Sequence, residues 1–262
     1  MGLYETLNDR YDEIFPVNPA AIGFILARVP DGAPRRILDL GSATGGHALA
    51  FAALGWDALG IELSPAMARK AQSRSVEKRS AGSASGSTTF VQGDMRRVAE
   101  FVAYRRFGAA ICLGNTLSHI EALELEPFLA TIVALLVPEA PLVLQTLNYA
   151  HPEIGAGFRF PDIEVPGLKF ARRYAAAEPA EAEGKEALSF MTEVETPQGR
   201  FEDSVTLYPH KPDVLADALS RSGFERIEFR SSWDGANFAP ERDRYLITVG
   251  YAGRSDDYRP GN

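Results

Sequence analysis

The amino-acid sequence predicts an α/β fold: a mostly parallel sheet with flanking helices, an antiparallel last strand and an antiparallel β insertion after the fifth strand. Three observations predict it. From about Arg35 to Ala150, short apolar runs alternate with helix-like segments, the pattern of parallel strands joined by crossover helices. From Phe158 to Tyr208 the apolar period shortens to about two residues, as in antiparallel strands. The chain has 262 residues and 45% hydrophobic content, enough for one large domain or a domain with an insertion that needs no disulfide, metal or partner chain to fold.

At the N-terminus Leu3, Tyr4, Leu7, Tyr11, Ile14 and Phe15 recur at helical spacing and form an apolar stripe. Such a stripe is either a helix packed permanently on the sheet or a lid over a ligand edge. Five strands are then expected at Arg36–Leu40, Ala58–Glu62, Thr88–Gln92, Ala109–Leu113 and Pro141–Thr146. The first, fourth and fifth are near-continuous apolar runs, as strands buried on both faces require. Helices lie between them. His47–Leu54 is apolar, and Ser64–Arg79 opens with Ser64 as cap and Pro65 in the first turn, where its missing N–H does no harm. The small and polar run Ser80–Ser87 reads as a plain linker. Within the insertion, Phe170, Arg172 and Tyr174 mark one strand, Leu188 to Val194 a second, and Phe201 to Leu207 a third, with a turn at Pro197-Gln198-Gly199. A helix at Asp213–Ser222, a stop at Gly223-Phe224, and strands Arg226–Arg230 and Tyr245–Tyr251 complete the core. The expected organisation is therefore a lid and cofactor-binding core over 1–150, the β insertion over 151–210, the rest of the core over 211–252 and a tail over 253–262.

Composition narrows the function classes. A net charge of -8 argues against nucleic acid as the main partner, because phosphate binding needs a concentrated cationic face. The single Cys112 excludes an internal disulfide, and the four histidines are too scattered for a zinc cluster, so no metal site is expected. A cytoplasmic location is expected. Met1 to Phe15 is charged, and no apolar run reaches the ~20 residues of a membrane-spanning helix, so neither secretion nor a membrane partner is anticipated.

The chemistry concentrates where Ile37-Leu38-Asp39-Leu40 runs into Gly41-Ser-Ala-Thr-Gly45-Gly46 and then into a helix. Glycines there let a ligand approach the backbone closely, and Glu62, about twenty residues on at the end of the second strand, can accept hydrogen bonds from both hydroxyls of a ribose. This order makes the predicted sheet Rossmann-like. The letters also fit a dinucleotide fingerprint as Gly41-x-Ala43-x-x-Gly46, so an NAD-dependent oxidoreductase is a competing reading. Against it stands Asp39, which would repel a pyrophosphate yet suits a ligand carrying positive charge.

These residues resemble the class I S-adenosylmethionine-dependent methyltransferases, whose first motif usually reads Asp-Leu-Gly-Cys-Gly-Thr-Gly. Here it reads Asp39-Leu-Gly-Ser-Ala-Thr-Gly45, with Ser42 and Ala43 as departures. Gly60-Ile-Glu62-Leu-Ser-Pro-Ala-Met67 is similar to the second motif and Gln92-Gly-Asp94-Met95 to the third. Ile111-Cys-Leu-Gly114-Asn115-Thr116-Leu-Ser118-His119 resembles the fourth motif of the glycine and sarcosine N-methyltransferase group. The resemblance is strong over about Arg35 to Ile120 and weak across the insertion. It implies S-adenosylmethionine as cofactor and S-adenosylhomocysteine as product. Asp94 would face the adenine amino group and Met95 its ring, whereas read alone they are a helix cap and a core methionine. Tyr11, Asp39, Gly41, Ser42, Ala43, Gly45, Glu62, Leu63, Leu113 and Asn115 complete the expected cofactor set.

Methyl transfer from a sulfonium mainly needs an acceptor held in line and shielded from water, so a metal-free reaction on a small-molecule N or O acceptor is expected. His119, after the fourth strand at the ligand edge, is the candidate base, and Tyr11 the lid residue nearest the cofactor. Asn115, His119, Gln145, Asn148 and Tyr149 are candidate acceptor contacts. Arg172 or its neighbour Arg173 can hold an acidic acceptor, though adjacent strand residues face opposite ways. Cys112 reads as inert core and Trp233 as a loop anchor or part of the acceptor wall. A homodimer, and a module that binds the cofactor without turning over, stay open.

Overall fold

In the computed structural model, residues 7, 10–82, 85–102, 106–178 and 186–254 are described. Leu3 and Tyr4 of the N-terminal stripe, Ser83 and Ala84 of the linker and most of the expected tail lie outside them. Five parallel strands, β1 (Arg36–Leu40), β2 (Asp57–Glu62), β3 (Ser87–Gln92), β4 (Ala109–Cys112) and β5 (Pro141–Leu147), are followed by β10 (Phe224–Arg230) and β11 (Tyr245–Ala252). The sheet order is β10-β11-β5-β4-β1-β2-β3, with β11 antiparallel to both of its neighbours. The strands sit where the apolar runs place them. Ser87, assigned to the linker, already pairs with Asp57 as the first residue of β3.

Alternation along these strands divides the core in two. Leu38, Leu40, Leu59, Ile61, Cys112, Leu142 and Leu144 face α6 (Ala122–Leu135) and α7 (Pro212–Arg221). Ile37, Ala58, Ile111, Val143 and Val249 face α2 (Pro19–Leu26), α3 (Gly46–Ala53) and α4 (Pro65–Ser80). The period of two thus buries both faces of the sheet. Helix α4 starts as its sequence dictates, with Ser64 Oγ accepting the Met67 N–H and Pro65 in the first turn.

The insertion forms a separate antiparallel sheet of β6 (Ile163–Val165), β7 (Leu168–Ala176), β8 (Leu188–Thr196) and β9 (Gly199–Leu207), in that order. Pro197 and Gln198 make the two-residue turn closing β8 onto β9. The short β6 was not anticipated; three residues are too few to show a period. One face of this sheet packs Leu168, Phe170 and Val194 on Leu7 and Ile14, the latter in α1 (Tyr11–Ile14). Tyr174, Leu188 and Leu207 pack on Leu147 and Tyr149 at the end of β5. The small sheet and α1 thereby roof the carboxyl edge of the large sheet.

Candidate active site at the carboxyl edge of the sheet

Under that roof lies a cavity of about 490 Å³, within the size range of small-molecule sites. Its floor is the loop after β1. Gly41 has φ of 75°, and a Cβ there would stand 2.4 Å from Thr116 Cγ2, so only glycine fits. Ala43 takes φ of 47° where the resembling motif has glycine, a left-handed conformation that strains alanine. The Gly41 and Ser42 N–H groups donate to the Ile61 carbonyl at 2.9 and 3.0 Å. Glu62 accepts the Ala43 N–H at 2.8 Å and the Ser64 N–H at 2.7 Å, tying this loop to the end of β2.

Two carboxylates serve this floor. Asp39 is 4% exposed, and burial together with the charge of Glu62 pushes its pKa to about 7, against a hydrogen bond from the Ala48 N–H. Burial also raises the Glu62 pKa, opposed by backbone N–H donors. Ser42 belongs to the cavity wall, while its hydroxyl is buried without a partner against Gly60 of β2.

The far wall centres on Asn115, held at φ of 66° between β4 and a 3-10 helix at Thr116–His119. Its Oδ1 accepts the Leu147 N–H at 3.0 Å and the Ser118 hydroxyl at 3.2 Å. Its Nδ2 donates to the hydroxyls of Tyr149 at 2.9 Å and Tyr174 at 3.3 Å, which lie 3.1 Å apart. Burial foremost, and then Tyr149, drives the Tyr174 pKa up, so the phenol stays neutral. His119 faces the cavity, and desolvation lowers its pKa below the ordinary imidazole value. Gln145 Oε1 accepts the Gly114 N–H at 3.1 Å.

Of the residues expected at a site, Tyr11, Asp39, Gly41, Ser42, Ala43, Leu113, Asn115, His119, Gln145 and Arg172 line this one cavity. Others do not. Glu62, expected at a ribose, is off the wall and occupied with the Ala43 and Ser64 N–H groups; Gly45 caps α3 at φ of 80°, Leu63 is 66% exposed, and Met95 is buried in the core. Asp94 accepts the Arg96 N–H as a helix cap and pairs with the Arg96 guanidinium. Tyr149 stands behind Tyr174 rather than on the wall. Asn148 is fully buried, giving both amide protons to the carbonyls of Pro240 and Asp243 and accepting the Ala150 N–H; it anchors the segment before β11 instead of reaching an acceptor. Trp233 does reach the wall. Cys112 is buried, with its thiol pKa raised by burial, in keeping with a packing role.

Sequence reading missed Asp12, His47, Phe160, Tyr174 and Phe190, all on the wall, while Thr44 of the expected loop is there with them. Tyr174 carried a signal, since its inward register follows from Phe170 and Arg172 on the same strand; Asp12 carried none. Among the described residues, no group of three or more His, Cys, Asp or Glu is placed to hold a metal ion, and no helix is long and apolar enough to cross a membrane.

Comparison with known proteins agrees with this fold. Residues 37–139 match the family described as "Methyltransferase domain". Similar solved structures include an S-adenosylmethionine-dependent methyltransferase from Clostridium acetobutylicum, at TM-score 0.76 and 13% identity over 96% of this chain and 99% of that one. The CcbJ methyltransferase from Streptomyces caelestis aligns at TM-score 0.75 and 21% identity over 97% and 99%. The sugar N-methyltransferase KedS8 from Streptoalloteichus aligns at 0.67 and 20% over 94% and 92%. At these identities the likeness establishes the fold. No curated protein sequence matches significantly.

Proposed function

We propose that this chain, which carries a methyltransferase domain over residues 37–139, moves the methyl group of S-adenosylmethionine onto a small-molecule amine or hydroxyl acceptor. One observation carries the reading: a single cavity joins the Asp39-Gly41 loop to a second wall bearing His119, Asn115 and Tyr174. The residues present fit the cofactor. A cationic ligand suits a floor that presents the Asp39 carboxylate, with Glu62 bracing the loop from behind. A pyrophosphate fits poorly beside Asp39. Arg74, which meets the loop at Thr44, donates to the Thr44 carbonyl and is already paired with Asp12 at 2.8 Å.

When bound, the cofactor supplies an activated methyl group and its own leaving group. The chain's residues position the acceptor, exclude water and move one proton. An amine reaches the methyl group only as the free base, and His119, whose lowered pKa keeps its imidazole neutral at pH 7, is suited to take that proton. The sugar N-methyltransferase among the similar structures supports a nitrogen acceptor. On this reading the acceptor is activated by side chains rather than a metal, and the 151–210 insertion is the acceptor-facing cover on a core of 1–150 and 211–252. A small-molecule partner, supported by a net charge of -8 that disfavours nucleic acid, and a cytoplasmic setting, supported by the lone cysteine, belong to the same proposal. The test is calorimetry with S-adenosylmethionine and S-adenosylhomocysteine, expected to show binding of both. Absence of binding by either sinks the reading. A mass-shift screen for one added methyl group across a metabolite extract then separates an enzyme from a module that only binds.

A further inference from the structure

We propose that Arg172 makes the acceptor half of this cavity a site for a carboxylate, so that the substrate joins an apolar body to an anionic group. The inference rests on the preceding reading that the cavity takes an acceptor, and adds the acceptor's chemical class. Phe170, Arg172 and Tyr174 alternate along β7 and all line the cavity, whereas Arg173 between them is exposed on the opposite face. The Arg172 guanidinium lies 4.9, 5.3 and 5.8 Å from the ring centres of Phe160, Phe170 and Phe15. Its hydrogen bonds are largely unspent. Nη2 donates to the Pro161 carbonyl at 3.0 Å, while Nε is buried with no partner.

No carboxylate pairs with it among the described residues. The nearest candidate, Asp162, is spent on Lys169 at 3.0 Å. Enclosure in an aromatic surround lowers the Arg172 pKa, the mark of a cation short of compensation. Aromatic faces compensate a guanidinium only in part, and a planar fork of donors matches a carboxylate. Around it Phe160, Phe170, Phe190, Tyr174 and Leu207 present an apolar wall too large for a minimal amino acid, which would leave those rings wet.

The test uses matched probes on the intact protein saturated with S-adenosylhomocysteine: 3-phenylpropionate against 3-phenylpropanamide, and indole-3-acetate against indole-3-acetamide. Calorimetry is expected to show each acid binding at least about tenfold tighter than its amide, the range of a charge-assisted hydrogen bond. Arg172→Met should abolish that preference without changing affinity for S-adenosylhomocysteine, and Arg172→Lys should keep part of it. Acids that bind no better than their amides, or not at all, overturn the proposal. So does an Arg172→Met variant that loses S-adenosylhomocysteine instead, which would assign the guanidinium to the cofactor's own carboxylate. If the methionine variant does not fold, the comparison of acid with amide in the parent and in Arg172→Lys still decides. Failure of the parent to bind S-adenosylhomocysteine overturns the methyltransferase reading alone, because acid against amide can be titrated without it.

Discussion

At the end of β2 the Glu62 carboxylate accepts two backbone N–H groups, so it braces the β1 loop before any ligand arrives. Replacing it by alanine removes both acceptors and mixes loss of structure with loss of binding. Glu62→Gln keeps one of the two acceptor oxygens while setting its NH2 against the other backbone N–H and removing the charge, and in a variant shown to be folded it should weaken S-adenosylhomocysteine binding by about 1–2 kcal/mol. A folded Glu62→Gln protein binding as tightly as the parent would show that this carboxylate holds no ribose. His119 gives the second expectation. With its pKa lowered by desolvation, its imidazole resonances should titrate with a midpoint below the ordinary 6.5, and acceptor turnover should decline only as pH falls through that lower midpoint. A midpoint at or above 6.5 by NMR removes the argument for it as a neutral base. Residue identity was legible wherever strand register settles position, as for Asp39, Gly41 and Asn115. It was not legible at Asn148, whose place at a strand exit suits a ligand contact and a loop anchor equally until the Pro240 and Asp243 carbonyls are seen beside it.

Among the elements, α1 both packs on the small sheet and faces the cavity. Its Ile14, together with Leu7 ahead of the helix, is buried against Leu168, Phe170 and Val194, while Tyr11 lines the cavity. On its polar side Asp12 accepts the Thr44 hydroxyl at 2.7 Å and pairs with Arg74 at 2.8 Å, latching the helix to the loop after β1. Nothing local in the sequence announces this latch, because it joins residues 32 apart across a tertiary contact. The core strands were legible for the opposite reason: burial on both faces writes itself as an uninterrupted apolar run. Because the ion pair is partly exposed, Asp12→Ala should change stability by less than about 1 kcal/mol. It should nonetheless speed hydrogen exchange over residues 10–15, and S-adenosylhomocysteine should slow that exchange in the parent more than in the variant. Identical exchange with and without ligand in the parent would leave α1 a structural helix.

For the whole molecule, the buried acid at the floor of the site links folding, pH and ligand. Asp39 has its pKa raised to about 7 by burial and by Glu62, against an ordinary value of 3.8, so the folded chain keeps a proton that the unfolded chain releases. The sign follows: this group's stabilisation is complete below about 3.8 and is lost as pH rises through 7. His47, His119 and His210 work the other way, since their pKa values are lowered and their contribution is lost as pH falls below 6.5. The two effects overlap between about pH 8 and 6, so the parent's profile is their sum and the Asp39 part is read as a difference: as pH is lowered through that range, the melting temperature of the ligand-free parent should rise relative to that of Asp39→Asn, which is uncharged throughout. A ligand ammonium near Asp39 favours the ionised form, so binding near pH 7 should expel a proton. Calorimetry of S-adenosylhomocysteine in two buffers of different ionisation enthalpy reads that proton directly, and Asp39→Asn should remove the difference between buffers. Equal enthalpies in both buffers for the parent protein would mean that Asp39 does not change its charge on binding, and the cation would then have to be met elsewhere on the cavity wall.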